Sequence, residues 1–111
     1  MQSTRLAKLL TFLTTEPDDP FILYALATEY NSLDDAENAF FYYKKLTEEH
    51  PMYVGTYYHL GKLYQKHGEL EKAIETYQTG MQRSQEKGDR HAFSELQGAY
   101  NMAAGLDYED D

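Results

Sequence analysis

The side chains best suited to catalysis or metal binding in this sequence are four histidines, and the sequence has no cysteine. The histidines are His50, His59, His67 and His91. His59 and His67 are eight residues apart, too far along one helix to bind one ion, and no H-E-x-x-H spacing occurs. The glycines are scattered and form no phosphate-binding loop. We therefore expect no metal, no cofactor, no catalytic residue and no enzymatic activity.

Two closely spaced lysines are the most specific charged feature. Lys62 and Lys66 are four residues apart, so they share one face of a helix, with His59 one turn earlier. The chain has 10 basic and 19 acidic residues and a formal net charge of -9, so this stripe is a local exception. It could hold an acidic or carboxylate group of a partner. The alternative is a solvated polar face, because exposed charges are common and individually weak.

The overall charge and hydropathy favour some partners over others. A net charge of -9 disfavours nucleic acid and anionic membrane surfaces, which attract basic patches. No stretch approaches 18 uninterrupted apolar residues, so the sequence predicts no membrane span. Leu6 to Leu13 are interrupted by Lys8 and Thr11, and no signal-peptidase site follows. We expect a cytoplasmic protein that binds another protein or peptide, with neither nucleic acid nor membrane as a partner.

The elements that position these side chains follow from an internal repeat. A shift of 34 residues aligns Leu26 with Leu60, Ala27 with Gly61, Tyr30 with Tyr64, Ala39 with Ala73, and Tyr43 with Tyr77. Within each set the spacing matches one helical face. A period of this length predicts one pair of short helices per repeat. Six helices are expected in all, over residues 4–14, 20–32, 35–49, 53–66, 70–86 and 90–104. No strands are expected.

The second unit resembles the tetratricopeptide repeat. It reads Tyr57-x2-Leu60-Gly61-x2-Tyr64 and then Ala73-x3-Tyr77, against the family pattern W-x2-L-G-x2-Y and A-x3-F. The first unit matches more loosely, through Leu23, Leu26, Ala27, Tyr30, Ala39, Tyr43 and Pro51, with Asp34 where the family favours a turn glycine. The resemblance implies an all-α fold in which antiparallel helix pairs stack as a short right-handed α-solenoid.

The same resemblance suggests a domain organisation. Residues 1–105 would form one domain, with an N-terminal half-repeat helix at 1–19, repeats at 20–53 and 54–87, and a C-terminal capping helix at 88–105. Residues 106–111 would be an acidic, disordered tail. Ala27 and Gly61 would lie where the two helices of each pair cross, opposite Ala39 and Ala73.

Tetratricopeptide arrays hold a peptide or a partner helix along a concave groove lined by the first helix of each pair. Carried over to this sequence, the groove residues are Phe21, Tyr24, Thr28, Asn31, Tyr58, His59, Lys62, Gln65 and Lys66, extended by Phe93 and Leu96 from the last helix. The family's carboxylate-binding set of lysine, asparagine and arginine is not reproduced, because Tyr24 and Thr28 occupy its first two positions. The resemblance therefore argues against binding of chaperone tails.

Several points remain open at this stage. Phe41 and Tyr42 could form an exposed patch for self-association, or the open ends of the solenoid could pair, and either would make the protein a structural homodimer module rather than an adaptor. Most of the tyrosines at repeat positions (Tyr30, Tyr43, Tyr57, Tyr64, Tyr77) are interpreted as core packing. The acidic residues 107–111 could be a solubilising tail, or they could dock on the Lys62/Lys66 stripe. The sequence is compatible with a monomer or a weak homodimer.

Overall fold

The computed structural model describes residues 3–106, which form six α-helices. Their bounds are Thr4–Thr15 (α1), Pro20–Ser32 (α2), Ala36–Glu49 (α3), Gly55–Lys66 (α4), Leu70–Lys87 (α5) and Arg90–Ala103 (α6). No strand occurs within residues 3–106, and the prediction of an all-α fold is confirmed. None of the helices in this range is both long and apolar enough to span a bilayer.

Side-chain caps explain where most helices begin. The Ser3 hydroxyl accepts from the Leu6 amide, and the Asp19, Asp35 and Asp89 carboxylates cap α2, α3 and α6 in the same way. The α4 helix has no side-chain cap and begins at Gly55, two residues later than predicted. Residues 50–54 form the linker between α3 and α4. Pro51 lies in this linker and cannot continue a helix.

The chain divides into two compact units between Tyr53 and Val54. The first unit contains α1, α2 and α3, and α1 packs on α2 through Leu6, Leu9, Ile22, Ala25 and Leu26. At the start of α1, the Ser3 hydroxyl donates to the Glu29 carboxylate (2.9 Å), which also pairs with Arg5 (3.3 Å). The organisation of residues 1–105 as one domain stays a prediction.

The second unit contains α4, α5 and α6. Its core is built from Tyr57, Ala73, Tyr77, Leu96 and Ala99. Leu96 is only 1% exposed, so the prediction that it extends a binding surface is wrong. The three-residue and two-residue connections make successive helices antiparallel, so α4 and α6 run in the same direction and contact each other.

Gly61 lies in the interface of α4 and α5, directly against a side chain of α5. A Cβ at this position would lie 2.2 Å from Cε1 of the Tyr77 ring, far inside van der Waals contact. The sequence predicted a close crossing here, opposite Ala73. Ala73 is indeed fully buried, but it is the Tyr77 ring that lies against the glycine. The glycine is therefore required by an aromatic side chain on the facing helix.

The turns inside the two repeats have the same backbone geometry. The amide of Asp35 donates to the Tyr30 carbonyl (2.9 Å), and the amide of Glu69 donates to the Tyr64 carbonyl (2.9 Å). The residue before each donor is left-handed, with φ of 61° at Asp34 and 77° at Gly68. This hydrogen bond closes a Schellman-type C-cap, which glycine favours because it has no Cβ.

Exchanging the residues at these two turns should change stability in opposite directions. We expect Asp34→Gly to stabilise the protein by up to about 1 kcal/mol and Gly68→Asp to destabilise it by a similar amount, because a left-handed conformation strains a residue with a Cβ. Urea unfolding of both variants measures this. Asp34→Asn is the control, because asparagine tolerates the same conformation and lacks the charge. Equal stability of all variants would contradict the explanation.

Candidate functional site

The outward face of α4 carries an ordered cluster of aromatic and basic groups. The Tyr58 ring is half-buried against the core of the second unit, which fixes its position. The His59 ring meets it edge-on at 5.6 Å, and the Lys62 ammonium lies 5.5 Å from the centre of the Tyr58 ring. A cation at this distance from an aromatic face is attracted to it. Lys62 is therefore held against the Tyr58 ring, and the residue stays exposed to solvent.

The end of α4 adds a second cation and an ordered amide. Lys66 is exposed and is the last residue of the helix, where the helix dipole favours positive charge. The Tyr77 hydroxyl donates to Oε1 of Gln65 at 2.5 Å. Burial raises the pKa of Tyr77 to about 12, so its hydroxyl remains protonated and able to donate. The core thus orients the side chain of Gln65, which lies between the two lysines in the sequence.

His59 contributes little positive charge at neutral pH. Burial of the imidazole lowers the pKa of His59, and the nearby Glu95 carboxylate on α6 opposes this effect only in part. The imidazole is therefore largely neutral at pH 7, and the positive charge of this face comes from Lys62 and Lys66. The sequence grouped His59 with the lysines by spacing alone and could not anticipate its burial.

Stability should depend on pH through His59. Below about pH 6.5 the unfolded chain takes up a proton at this residue that the folded protein resists. The free energy of unfolding should therefore fall as the pH drops from 6.5, while this group has no effect at higher pH. His59→Gln should flatten that part of the profile, as measured by urea unfolding between pH 5 and 8. His91→Gln, an exposed site, is the control; identical profiles for all three proteins would contradict the account.

The corresponding face of α2 in the first unit is more aromatic. Phe21 is 66% exposed and Thr28 is exposed, whereas Tyr24 and Asn31 are half-buried. The Tyr24 ring meets the rings of Tyr43 at 6.4 Å and Tyr53 at 5.4 Å. The Thr28 hydroxyl lies 3.4 Å from the Tyr43 hydroxyl. Phe21 is the exposed aromatic group on this face, while Tyr24 is packed within an aromatic cluster.

The remaining predicted site residues lie elsewhere. Phe93 lines a cavity of about 550 Å³ at the connection of α5 and α6, together with Ser84, Gln85, Gly88, Asp89, Arg90 and Ser94. Phe41 is 58% exposed on α3, and Tyr42 is half-buried with its ring stacked on Tyr30 at 5.8 Å. An exposed apolar patch can therefore include Phe41, but Tyr42 mainly packs within the first unit.

Sequence reasoning missed two residues beside these surfaces. Tyr53 lies in the linker and packs on Tyr24, although the sequence assigned it to the start of α4. Glu95 lies beside His59, and no repeat position predicts it because α6 does not keep the motif. The acidic residues 107–111 lie outside the described residues. Within residues 3–106, no three histidine or carboxylate side chains are grouped as a metal site would require.

Comparison with known proteins gives the family. The sequence profile of the tetratricopeptide repeat matches residues 22–51 and 54–87, which is more than half of the chain. The chain belongs to the tetratricopeptide repeat family. The two matched segments correspond to the α2–α3 and α4–α5 pairs, so each tetratricopeptide repeat is one helical hairpin. No match was found among curated proteins.

Solved structures agree with this assignment. The crystal structure of a tetratricopeptide repeat domain protein from Salinibacter ruber is 46% identical, covers 80% of this chain and 99% of its own, and superposes with a TM-score of 0.76. A solution structure of a tetratricopeptide repeat domain protein from the same organism is 44% identical over 86% of this chain and 96% of its own, with a TM-score of 0.77. A protein from Bordetella parapertussis, 23% identical over 95% of this chain and 90% of its own, shares the fold with a TM-score of 0.78.

The tetratricopeptide repeat is typically a non-catalytic fold that binds protein partners. Its repeats expose helical faces, and here each face differs in chemistry. The α4 face has two exposed cations, whereas the α2 face presents the exposed Phe21 ring. The fold suggests a protein-interaction module, and the side chains suggest which chemistry each face would recognise.

Proposed function

We propose that this protein is a cytoplasmic adaptor that binds an acidic peptide segment on the outward face of α4. The observation that carries the proposal is the placement of Lys62 on the Tyr58 ring, one turn from Lys66, in a chain of net charge -9. Two aligned cations beside an aromatic ring provide ion pairs for carboxylates and an apolar contact for a neighbouring side chain. A protein interaction of this kind fits the family.

Ordering of Lys62 and Gln65 favours binding over simple solvation. A lysine already held over a ring loses less side-chain freedom on binding than a fully mobile one. The Gln65 amide, fixed through its oxygen by the Tyr77 hydroxyl, still carries an NH₂ group with two donors for a peptide carbonyl or carboxylate. We therefore expect a face that recognises acidic residues through preorganised donors.

The remaining charges of the protein restrict the partner. Because the chain carries nine more acidic than basic residues, a highly acidic protein would on average be repelled from it. A short acidic segment, exposed on an otherwise neutral or basic partner, fits this distribution best. Its binding should weaken as salt is added, because ions screen exposed charge pairs.

Removal of Lys62 tests the proposal. We expect Lys62→Gln to weaken binding of a fluorescent peptide containing glutamate, aspartate and tyrosine by about tenfold, the typical worth of a charged hydrogen bond in a partly desolvated site. Fluorescence anisotropy at low and physiological salt measures the change.

The matched control is Lys44→Gln, which removes the same charge from an exposed site on α3. It should leave the dissociation constant within a factor of two. Equal weakening by both variants would mean that the peptide responds only to net charge, and the α4 face would not be the site.

A second candidate function is self-association through Phe41. This ring is 58% exposed and meets the Tyr42 ring edge-on at 5.0 Å, so an apolar surface is available on α3. Static light scattering over a concentration series distinguishes the two functions. A dimer in the parent protein that is lost in Phe41→Ser would favour the structural module, and a monomer at all concentrations would exclude it.

A further inference from the structure

The course of α6 brings the chain toward the lysine end of α4. The two helices run in the same direction and contact each other, so their carboxyl ends, at Lys66 of α4 and Ala103 of α6, lie at the same end of the second unit. Met102, in the last turn of α6, is 66% exposed at this end.

The chain leaves α6 at this same end of the second unit. The helix ends at Ala103, and the left-handed Gly105, with φ of 75°, lets the Leu106 amide donate to the Asn101 carbonyl at 2.7 Å. This C-cap ends the helix and turns the chain away from the axis of α6. Leu106, the last described residue, is 57% exposed at this end of the second unit.

The five residues that follow are complementary to the α4 face in charge. Residues 107–111 contain four carboxylates and one tyrosine, Asp-Tyr-Glu-Asp-Asp. Fully extended, five residues span about 17 Å, whereas Lys62 and Lys66 are separated by about 6 Å along α4. A segment that starts at the same end of the second unit as Lys66 is therefore long enough to reach both lysines.

We propose that residues 107–111 dock on the α4 face of the same molecule, with their carboxylates paired to Lys62 and Lys66. The inference rests on the proposed function, because it concerns the same face and the same chemistry. A tethered segment acts at an effective concentration of millimolar order, so even weak ion pairs keep the face partly occupied. An acidic partner must displace the segment before it can bind. The segment therefore acts as an intramolecular competitor that weakens the apparent affinity of the α4 face for the partner.

Charge neutralisation of the segment tests this contact without shortening the chain. The variant carries Glu109→Gln, Asp110→Asn and Asp111→Asn together. The matched control carries Glu16→Gln, Glu48→Gln and Glu75→Gln, which remove three exposed carboxylates from other helices or connections. Both proteins are compared with the parent by amide NMR without peptide and by titration with the acidic fluorescent peptide.

In the free protein, we expect the segment variant to shift the amides of Lys62, Gln65 and Lys66, and the control to leave them unchanged. The segment variant should also bind the peptide about three- to tenfold more tightly than the control. Addition of Lys62→Gln to the segment variant should remove most of that gain. These results together would establish docking and its competitive effect.

The other outcomes separate the inference from the proposed function. Equal spectra for the segment variant and the control would overturn docking, whether or not the peptide binds. Shifts at Lys62 that appear only as the protein concentration rises would also overturn it, because the segment would then come from a second copy. Concentration-independent shifts at Lys62 in a protein that fails to bind the peptide would support docking and contradict the proposed function.

Discussion

Replacement of Gly61 by leucine is expected to destabilise the protein by about 3 kcal/mol or more, at the upper end of the usual cost of overpacking a core. A Cβ alone would lie 2.2 Å from the Tyr77 ring, so the ring or the helices must move. The ring cannot move aside easily, because Tyr77 is fully buried and its hydroxyl donates a hydrogen bond to Gln65. Urea unfolding followed by circular dichroism measures the loss.

Gly98→Ala is the control for this prediction. Gly98 also lies inside a helix, α6, but a Cβ there would meet nothing within 4 Å. This replacement should stabilise the protein by about 0.5–1 kcal/mol, because alanine loses less conformational freedom than glycine in a helix. If Gly61→Leu left the unfolding midpoint unchanged, the close approach of α4 and Tyr77 would be refuted.

Truncation of Tyr77 to alanine should cost about 3–5 kcal/mol, the range typical of large aromatic side chains removed from a core. Tyr77 is fully buried, and its ring lies directly against Gly61 in the α4–α5 interface. A loss of this size is a large part of the 5–15 kcal/mol that stabilises a typical domain. Much of the chain would then unfold at moderate temperature.

Tyr77→Phe separates the ring from its hydroxyl. It should cost only about 1 kcal/mol, because it removes the hydrogen bond to Gln65 and keeps the packing. Thermal unfolding of the two variants measures the difference. Equal losses would mean that the hydroxyl, rather than the ring, stabilises the interface, contrary to this account.

The helices and their pairing could be predicted from the sequence because the repeat is strong where the core is built. Leu26 and Leu60 are buried, as are Ala39 and Ala73, and every helix end lies within two residues of its predicted position. Apolar spacing and capping residues act locally, so the sequence is enough to predict them. The all-α repeat fold followed from these signals.

The details of the candidate site were less predictable because they depend on contacts between helices. Leu96 and Phe93 were assigned together to one surface, but α6 departs from the motif, and Leu96 turned out to be core while Phe93 lines a separate cavity. The spacing of His59 and Lys62 predicted a shared face but not the burial of the imidazole. Repeat periodicity carries no information about a carboxylate such as Glu95 on a neighbouring helix.

The most direct test of the proposed binding face is an amide NMR titration of the protein with the acidic peptide, followed residue by residue. We predict shifts concentrated at Tyr58, Lys62, Gln65 and Lys66 that saturate with peptide and diminish as salt is added. Saturable binding whose shifts avoid these residues and cluster around Phe41 and α3 would contradict the assignment of function to the α4 face. So would the absence of any shift at millimolar peptide.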